Sequence, residues 1–441
     1  MTPFIKKALA NTSWLVSEKV ISMSANLLVS LALARSLGPE GFGSLSYLIA
    51  LVALVAPLAA LGLNAIITRE LVNDPDNRDK IIASATFFRL IGALTGTLVC
   101  VLLAVNGWGV SSDVASHGLI LLAIANIFYA FNVLEFWFQA QVAARQVVRM
   151  RLSVILIFAS LKLVAVAMSA SLLTIVAIFA AETLVLGIGF VVIYSFYASP
   201  IRVSSVDFSY GLGLLKQSYW LILSGIAAVI YLKVDQVMLE NMVGTEAVGI
   251  YAVAARLSEV WYFFADAVVI TLFPALLALK KKQLFDAYQV KLQQISDLLF
   301  VCAFIIAIAV SLVAKPAIVI LFGQEYLQSA FILQLHIWAG LFIFMRALVS
   351  KWLLSEHLLA FSLLSHGLGA VINVIANLML IPLYGAKGAA IATVFSYFIA
   401  SYIAFWISPK TRDIARIMSR SLLLPFTLGH RYWPKQTNEI S

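Results

Sequence analysis

The sequence predicts an all-α membrane protein of about twelve transmembrane helices in two pseudo-symmetric six-helix lobes. Three observations carry that expectation. The chain of 441 residues is 62% hydrophobic and only 12% charged, with a mean hydropathy of +0.99. Its apolar residues gather into stretches of bilayer-spanning length, with Lys and Arg on alternate connectors. A short glycine motif recurs half a chain later. Ordinary soluble domains hold about a quarter charged residues, so water is not the solvent for most of this surface. A soluble enzyme is excluded, and so is a disordered chain, which would be poor in Ile, Leu, Val and Phe.

Taking about 20 apolar residues per crossing, the spans fall at roughly 14–34, 43–66, 82–105, 116–138, 152–170, 173–196, 216–239, 247–275, 295–314, 329–350, 358–383 and 387–407. The longest connectors lie near 67–80, 197–214 and 276–294. None has room for a folded soluble domain. Lys6 and Lys7 precede a first span with no A-x-A-like cleavage site after it, so that span is expected to be retained. The expected division is a six-helix lobe over 1–205, a second over 206–408, and a basic cytoplasmic tail over 409–441.

Orientation follows from the basic residues. Thirty Lys and Arg against twenty-one Asp and Glu give a net charge of +9. One side receives Lys6, Lys7, Arg69, Arg78, Lys80, Arg145, Arg149, Arg151, Arg202, Lys216, Lys280, Lys281, Lys282, Lys291 and Lys351. The tail adds Lys410, Arg412, Arg416, Arg420, Arg431 and Lys435 to that side, while the other receives only Arg35, Lys315 and Lys387. The positive-inside rule then places both termini in the cytoplasm of a cell whose cytoplasmic (inner) membrane holds the chain. The charge reads as topology, not as a nucleic-acid surface. Cys100 and Cys302 both sit in apolar stretches and offer neither a disulfide framework nor a CxxC metal site.

The repeat is Leu37-Gly38-Pro39-Glu40-Gly41-Phe42-Gly43, matched by Val243-Gly244-Thr245-Glu246-Ala247-Val248-Gly249, and both read apolar-G-x-E-x-x-G. The copies follow the first and seventh spans, so both face the outer side. This implies two parallel halves related by an axis along the membrane normal. Gly and Glu that merely cap tight helix-to-helix turns give an equally good account of the motif on stability alone.

Ionisable groups inside spans are costly and mark cavities or partners. Glu18, Lys19, Arg89, Glu135, Lys162 and Glu182 lie in the first half; Lys233, Asp235, Arg256, Glu259, Asp266, His336, Arg346 and His366 lie in the second. Arg256, Glu259, Phe263 and Asp266 share one helical face, as do Trp220, Ser224, Tyr231 and Asp235, while Glu18, Ser22 and Asn26 drift along the first span. Such stripes line a wet space or a contact between helices. Arg256 and Glu259 also have the spacing of a local ion pair, and Lys233 can snorkel to the interface. His336 and His366 read as hydrogen-bonded packing residues, having no second ligand at i+4. No Walker loop, HExxH, CxxC or nucleophile elbow is present, so no metal or cofactor is expected and the chain reads as a transporter, not an enzyme.

Several strings carry a family resemblance: NTSW at 11–14, ARSLGPE at 34–40 with Phe42 and Gly43, LGL at 61–63 and REL at 69–71. In the second half stand DQVML at 235–239, VGIY at 248–251, ARL at 255–257, FP at 273–274 and GAKGAAIAT at 385–393. Together they resemble bacterial polysaccharide transporters of the Wzx type, the O-antigen flippases, in the superfamily that also holds the MATE multidrug exporters. The resemblance implies a MATE-like fold around a V-shaped chamber, alternating access and a role in lipopolysaccharide or other surface-polysaccharide biosynthesis. The implied substrate is an undecaprenyl-pyrophosphate-linked oligosaccharide moved to the outer leaflet, with membrane lipid and polysaccharide polymerase machinery as partners. For that substrate, Arg89, Arg256, Arg346, Lys162 and Lys19 are the candidate pyrophosphate cations. Trp220, Tyr231 and Tyr129 are candidates to stack on sugars, and Glu182, Glu259, Asp235 and Asp266 to exchange a proton or couple an ion. A multidrug or cation exporter is the first alternative and wants an acid-dominated cavity. A peptidoglycan-precursor (lipid II) flippase, usually two helices longer, is the next. A membrane-embedded glycosyl polymerase or ligase fits poorly with such short outer loops.

Overall fold

The computed structural model describes residues 3–427 apart from 108, 110, 111 and 199. Arg431 and Lys435 of the tail, and the side chains of Lys6 and Lys7, lie outside the described residues. The order is α1 (Pro3–Ala60), α2 (Asn64–Asn73), α3 (Arg78–Val105), α4 (Asp113–Asn126), α5 (Glu135–Ala140), α6 (Ala144–Ala167), α7 (Leu172–Tyr197) and α8 (Phe208–Met242). There follow α9 (Thr245–Glu259), α10 (Tyr262–Lys281), α11 (Phe285–Phe322), α12 (Leu327–His336), α13 (Gly340–Ser355), α14 (Leu359–Tyr384), α15 (Ala386–Ser401) and α16 (Arg412–Leu422). No strand occurs among the described residues.

Among the described residues, eleven stretches are long and apolar enough to cross a membrane. The first, Ser13–Asn73, has 61 residues. At about 1.5 Å per residue it is roughly three times the thickness of the hydrocarbon core and must hold two crossings. The reversal is at Gly38, where φ is 66° and ψ is 179°. Twelve crossings therefore fit the eleven stretches. The fourth and tenth crossings are each interrupted by a 3-10 segment, at Ile127–Leu134 and Ile337–Ala339. That tighter winding shifts side chains around the helix at the same place in both halves.

Packing is uneven along the membrane normal. At the end carrying the glycine turns, one continuous apolar core joins both halves, with Leu33, Phe42 and Leu45 packed in the same cluster as Val248, Tyr251 and Ile332. At the opposite, basic end there are two separate cores. One belongs to the first half, around Ile67, Ile81, Val133 and Phe190. The other belongs to the second, around Leu276, Leu299, Leu348 and Ile414. The halves are thus joined at one end and parted at the other. The start of α8 leans on the first half: Leu214 is in that half's core, and Gly211 lies so close to Phe88 that an added Cβ would come within 2.2 Å of its ring. The sequence division at 205/206 therefore cuts ahead of a helix that bridges both halves.

The described part of the tail forms α16, which buries Ile414, Ala415, Ile417 and Met418 and leaves Arg412, Arg416 and Arg420 toward its outer face. A polar seat fixes it to α11: Ser421 donates to Asp297 Oδ1 at 2.7 Å, and Gln293 donates to Ile417 O at 3.1 Å.

Candidate functional site

The intramembrane charges fall into three sets, separated by what each one touches. The first set is neutralised. Arg151 donates to Glu18 at 3.0 Å and also to Glu135, tying α6 to α1 and α5. Lys162 is paired with Glu182 between α6 and α7, the Lys side chain 2% exposed. Lys162 and Glu182, expected at the substrate and the coupling ion, are thus each other's partner. Sequence reasoning missed Arg151, because it set the fifth crossing to begin one residue later. The signal was there, in three arginines within seven residues. The other two, Arg145 and Arg149, lie 5.7 and 5.6 Å from the Trp14 ring.

The second set is buried within a half. Arg89 is 1% exposed and donates to Ala59 O at 3.0 Å, with its guanidinium 5.8 Å from the Tyr129 ring and 5.9 Å from that of Phe136. Tyr129 is therefore engaged by Arg89. Arg346 donates to His366 Nε2 at 3.0 Å and to Ala400 O at 3.4 Å, over the ring of Phe405. Because a guanidinium only donates, His366 Nε2 must accept. That puts the ring proton on Nδ1, toward Ser224 Oγ at 2.9 Å. Tyr231 stacks on His366 and meets Tyr397 edge-on, so it too is a packing residue of the second half. His336 is 2% exposed, edge-on to Tyr251 at 6.0 Å.

Asp235 belongs to the same interior and is 1% exposed. Its Oδ2 accepts from the Tyr251 hydroxyl and from Thr393 Oγ1, the latter at 2.8 Å. Its Oδ1 has no hydrogen-bond partner. Nearby, Thr393 O accepts from Ser396, which accepts from Asn373, which in turn accepts from Asn377. Asn377 Oδ1 is likewise unpaired. Asn373 and Asn377 escaped sequence reasoning because amides carry no charge to stand out in an apolar span.

The third set lines the gap between the halves. Lys19, Met23, Asn26 and Ser30 form one face of α1, and Arg256, Glu259 and Asp266 one face of α9 and α10. Met23, Asn26, Leu27, Ser30, Arg256, Glu259 and Val260 line an open cavity of about 300 Å³. Arg256 donates to Ser30 Oγ and lies 4.9 Å from the Phe42 ring. Glu259 turns to Lys233 at 3.6 Å. The local Arg256–Glu259 pair that the sequence allows is not the one formed. Asp266 is exposed toward the basic end, within electrostatic reach of Lys19 and Lys351. Trp220 is exposed on α8 against Tyr219, ring centroids 4.6 Å apart.

Among the described residues, no carboxylate lies within ion-pair distance of Arg89, Arg256 or Arg346. Of these three, Arg256 lines the cavity between the halves. An unpaired guanidinium in a low-dielectric wall is a site for an anion.

Comparison with known proteins agrees with this architecture. The family described as "Polysaccharide biosynthesis protein" matches residues 8–280, more than half of the chain. An uncharacterized membrane protein of Methanocaldococcus jannaschii is 27% identical over 198 residues, which cover 44% of this chain and 38% of that protein. The match thus spans well under half of its relative's length. Among solved structures, the lipid II flippase MurJ in an inward closed conformation superposes with a TM-score of 0.67 at 13% identity, over 97% of this chain and 94% of that one. An inward-facing multidrug resistance MATE family transporter of the MOP superfamily gives 0.65 at 14% identity, over 91% and 98%.

Proposed function

The chain belongs to the polysaccharide biosynthesis protein family, and we propose that it is a flippase that carries an undecaprenyl-pyrophosphate-linked oligosaccharide from the cytoplasmic to the outer leaflet by alternating access. The observation that carries this reading is Arg256, an intramembrane cation in the wall of the cavity between the halves that makes no direct ion pair, its neighbour Glu259 being turned to Lys233. A saccharide head with a pyrophosphate cannot cross hydrocarbon, since each hydroxyl and charge would lose its hydrogen bonds to water. Its polyprenyl tail can remain in lipid while the head moves between the halves, which are parted at the basic end. That end is cytoplasmic in this reading, by the positive-inside rule.

In this mechanism Arg256 takes the pyrophosphate, Lys19 at the mouth attracts it, and Trp220 offers a ring for a sugar face. Arg89, Arg346, Tyr231 and Tyr129 act from behind, as packing of the two halves. Of the four carboxylates expected to couple an ion, Asp235 is the one proposed for that role. Glu182 and Glu259 face lysines, and Asp266 is exposed. Asp235 is enclosed, and one of its oxygens is open to a proton or a small cation.

Deletion of the gene is expected to abolish surface glycan and to strand the lipid-linked unit in the inner leaflet; Arg256→Ala in the restored gene is expected to reproduce that state. Normal glycan together with new sensitivity to cationic drugs would replace this reading by an exporter. Loss of peptidoglycan in place of surface glycan would replace it by a lipid II flippase.

A further inference from the structure

The two glycine motifs have a use beyond turning the chain. Gly38 has φ 66° and ψ 179°, and Gly244 has φ 112° and ψ 174°. Both lie in a backbone region essentially closed to residues with a Cβ. Glu40 and Glu246 follow in the first turn of the next crossing, where a helix N-terminus favours negative charge. The last glycine of each motif then meets the other motif. A Cβ on Gly43 would lie 1.9 Å from the Thr245 carbonyl oxygen, and a Cβ on Gly249 would lie 1.9 Å from that of Pro39. Gly43 and Gly249 hold equivalent places in the repeat, as do Pro39 and Thr245. The contact is therefore reciprocal: each copy lays its last glycine on the other's first helical carbonyl, at the axis relating the halves.

The same end carries more ties between the halves. Tyr326 donates to Ala34 O at 2.9 Å, and Arg35 donates to Ile320 O at 2.5 Å. A third apolar-G-x-E turn, Phe322-Gly323-Gln324-Glu325, stands here, and a Cβ on Gly38 would come 3.6 Å from Glu325 Oε2. Apart from the start of α8, which leans on the first half at the basic end, the described residues of the two halves share their apolar core at this end.

We propose that Gly43 and Gly249, laid reciprocally on Thr245 and Pro39, form the seal that closes the transport pathway at the outer face, and that outward opening consists of parting this contact. The proposal rests on the transport reading above for the direction of the pathway, not for the contact. Backbone against backbone, with no side chain between, closes without trapping water and parts without breaking an ion pair. Any Cβ at either glycine wedges the seal from within, whereas one at Gly213, with nothing within 4 Å, disturbs nothing.

The test uses the full chain with Cys100→Ala and Cys302→Ala, and Asn26→Cys in the cavity as reporter for a charged, membrane-impermeant maleimide. In the parent, the reporter is expected to react in inside-out vesicles and hardly at all in right-side-out ones. Gly43→Ala or Gly249→Ala is expected to raise the outside reaction by about tenfold, the usual scale of an overpacked contact, and Gly213→Ala to leave it unchanged. Variants that elute as folded protein yet react from outside no faster than the parent overturn the proposal. Should both glycine variants fail to fold, Tyr326→Phe and Arg35→Ala, which remove ties at the same seal without adding bulk, are expected to raise outside labelling, and no rise overturns it. Labelling needs no substrate, so raised outside labelling in the glycine variants together with normal surface glycan after deletion of the gene indicts the transport reading alone.

Discussion

At the scale of single residues, partnership sorts the charges better than position does. Lys162 and Glu182 neutralise each other in a buried setting. Removing one leaves the other uncompensated, so Lys162→Met is expected to cost about 3–5 kcal/mol of stability. Lys162→Met with Glu182→Leu is expected to recover most of it, since a well-packed apolar pair is often as stable as a buried ion pair. Thermal unfolding in detergent checks both. Arg256→Gln is expected to lower flipping by about ten- to a hundredfold, as loss of one charge-assisted contact does, with little change in the melting temperature. Asp235→Asn is expected to abolish any dependence of flipping on an imposed ion gradient while leaving binding of the lipid-linked unit intact.

At the scale of elements, the places of the spans were legible because length and hydropathy follow from the thickness of hydrocarbon, but their ends were not: the helix expected at 295–314 runs Phe285–Phe322, and the one expected from 152 starts at Ala144. The partners were not, because a charge in a span announces its cost and not its neighbour. Arg256 and Glu259 illustrate the limit: their spacing permitted a pair on one helix, yet Ser30 and Lys233, both distant in sequence, took the two groups. The 3-10 segments were equally invisible, lying in continuous apolar runs. Two elements at the basic end invite measurement. Ile417→Ala on α16 is expected to cost about 2–4 kcal/mol, the scale of a buried cavity, and to speed amide exchange across Arg412–Leu422. Asp207 caps α8 through the Tyr210 amide at 2.8 Å and bridges Lys80 at 2.7 Å. Lys80 first, then the Tyr210 amide, holds its carboxyl below the ordinary carboxylate range. A depressed folded value means that the contribution is full above the unfolded value of about 4 and fades as pH falls through the lower folded one. Exchange at the start of α8 is therefore expected to quicken in acid, and Asp207→Asn to remove that dependence.

At the scale of the whole molecule, the parted halves make sidedness measurable. Lys351→Cys is expected to react with an impermeant maleimide from the basic face, the cytoplasmic one in the proposed orientation, and Arg35→Cys from the opposite one. Reaction of each from the other face would reverse the proposed topology, and reaction of both from one face would refute it. The two-half plan was readable from a seven-residue repeat, but what the repeat does was not: spacing shows that two motifs exist, while only three dimensions bring Gly43 onto Thr245 and Gly249 onto Pro39.

The shared core at the glycine end has a consequence for biosynthesis. Leu33, Phe42 and Leu45 find their packing in the same cluster as Val253 and Leu333, which leave the ribosome some two hundred to three hundred residues later. The early helices must therefore wait in the bilayer with that surface against lipid until the tenth crossing is inserted. A chain stopped after the first six crossings is an orphan for membrane quality control, and its second half, supplied in trans, is what would rescue it from degradation.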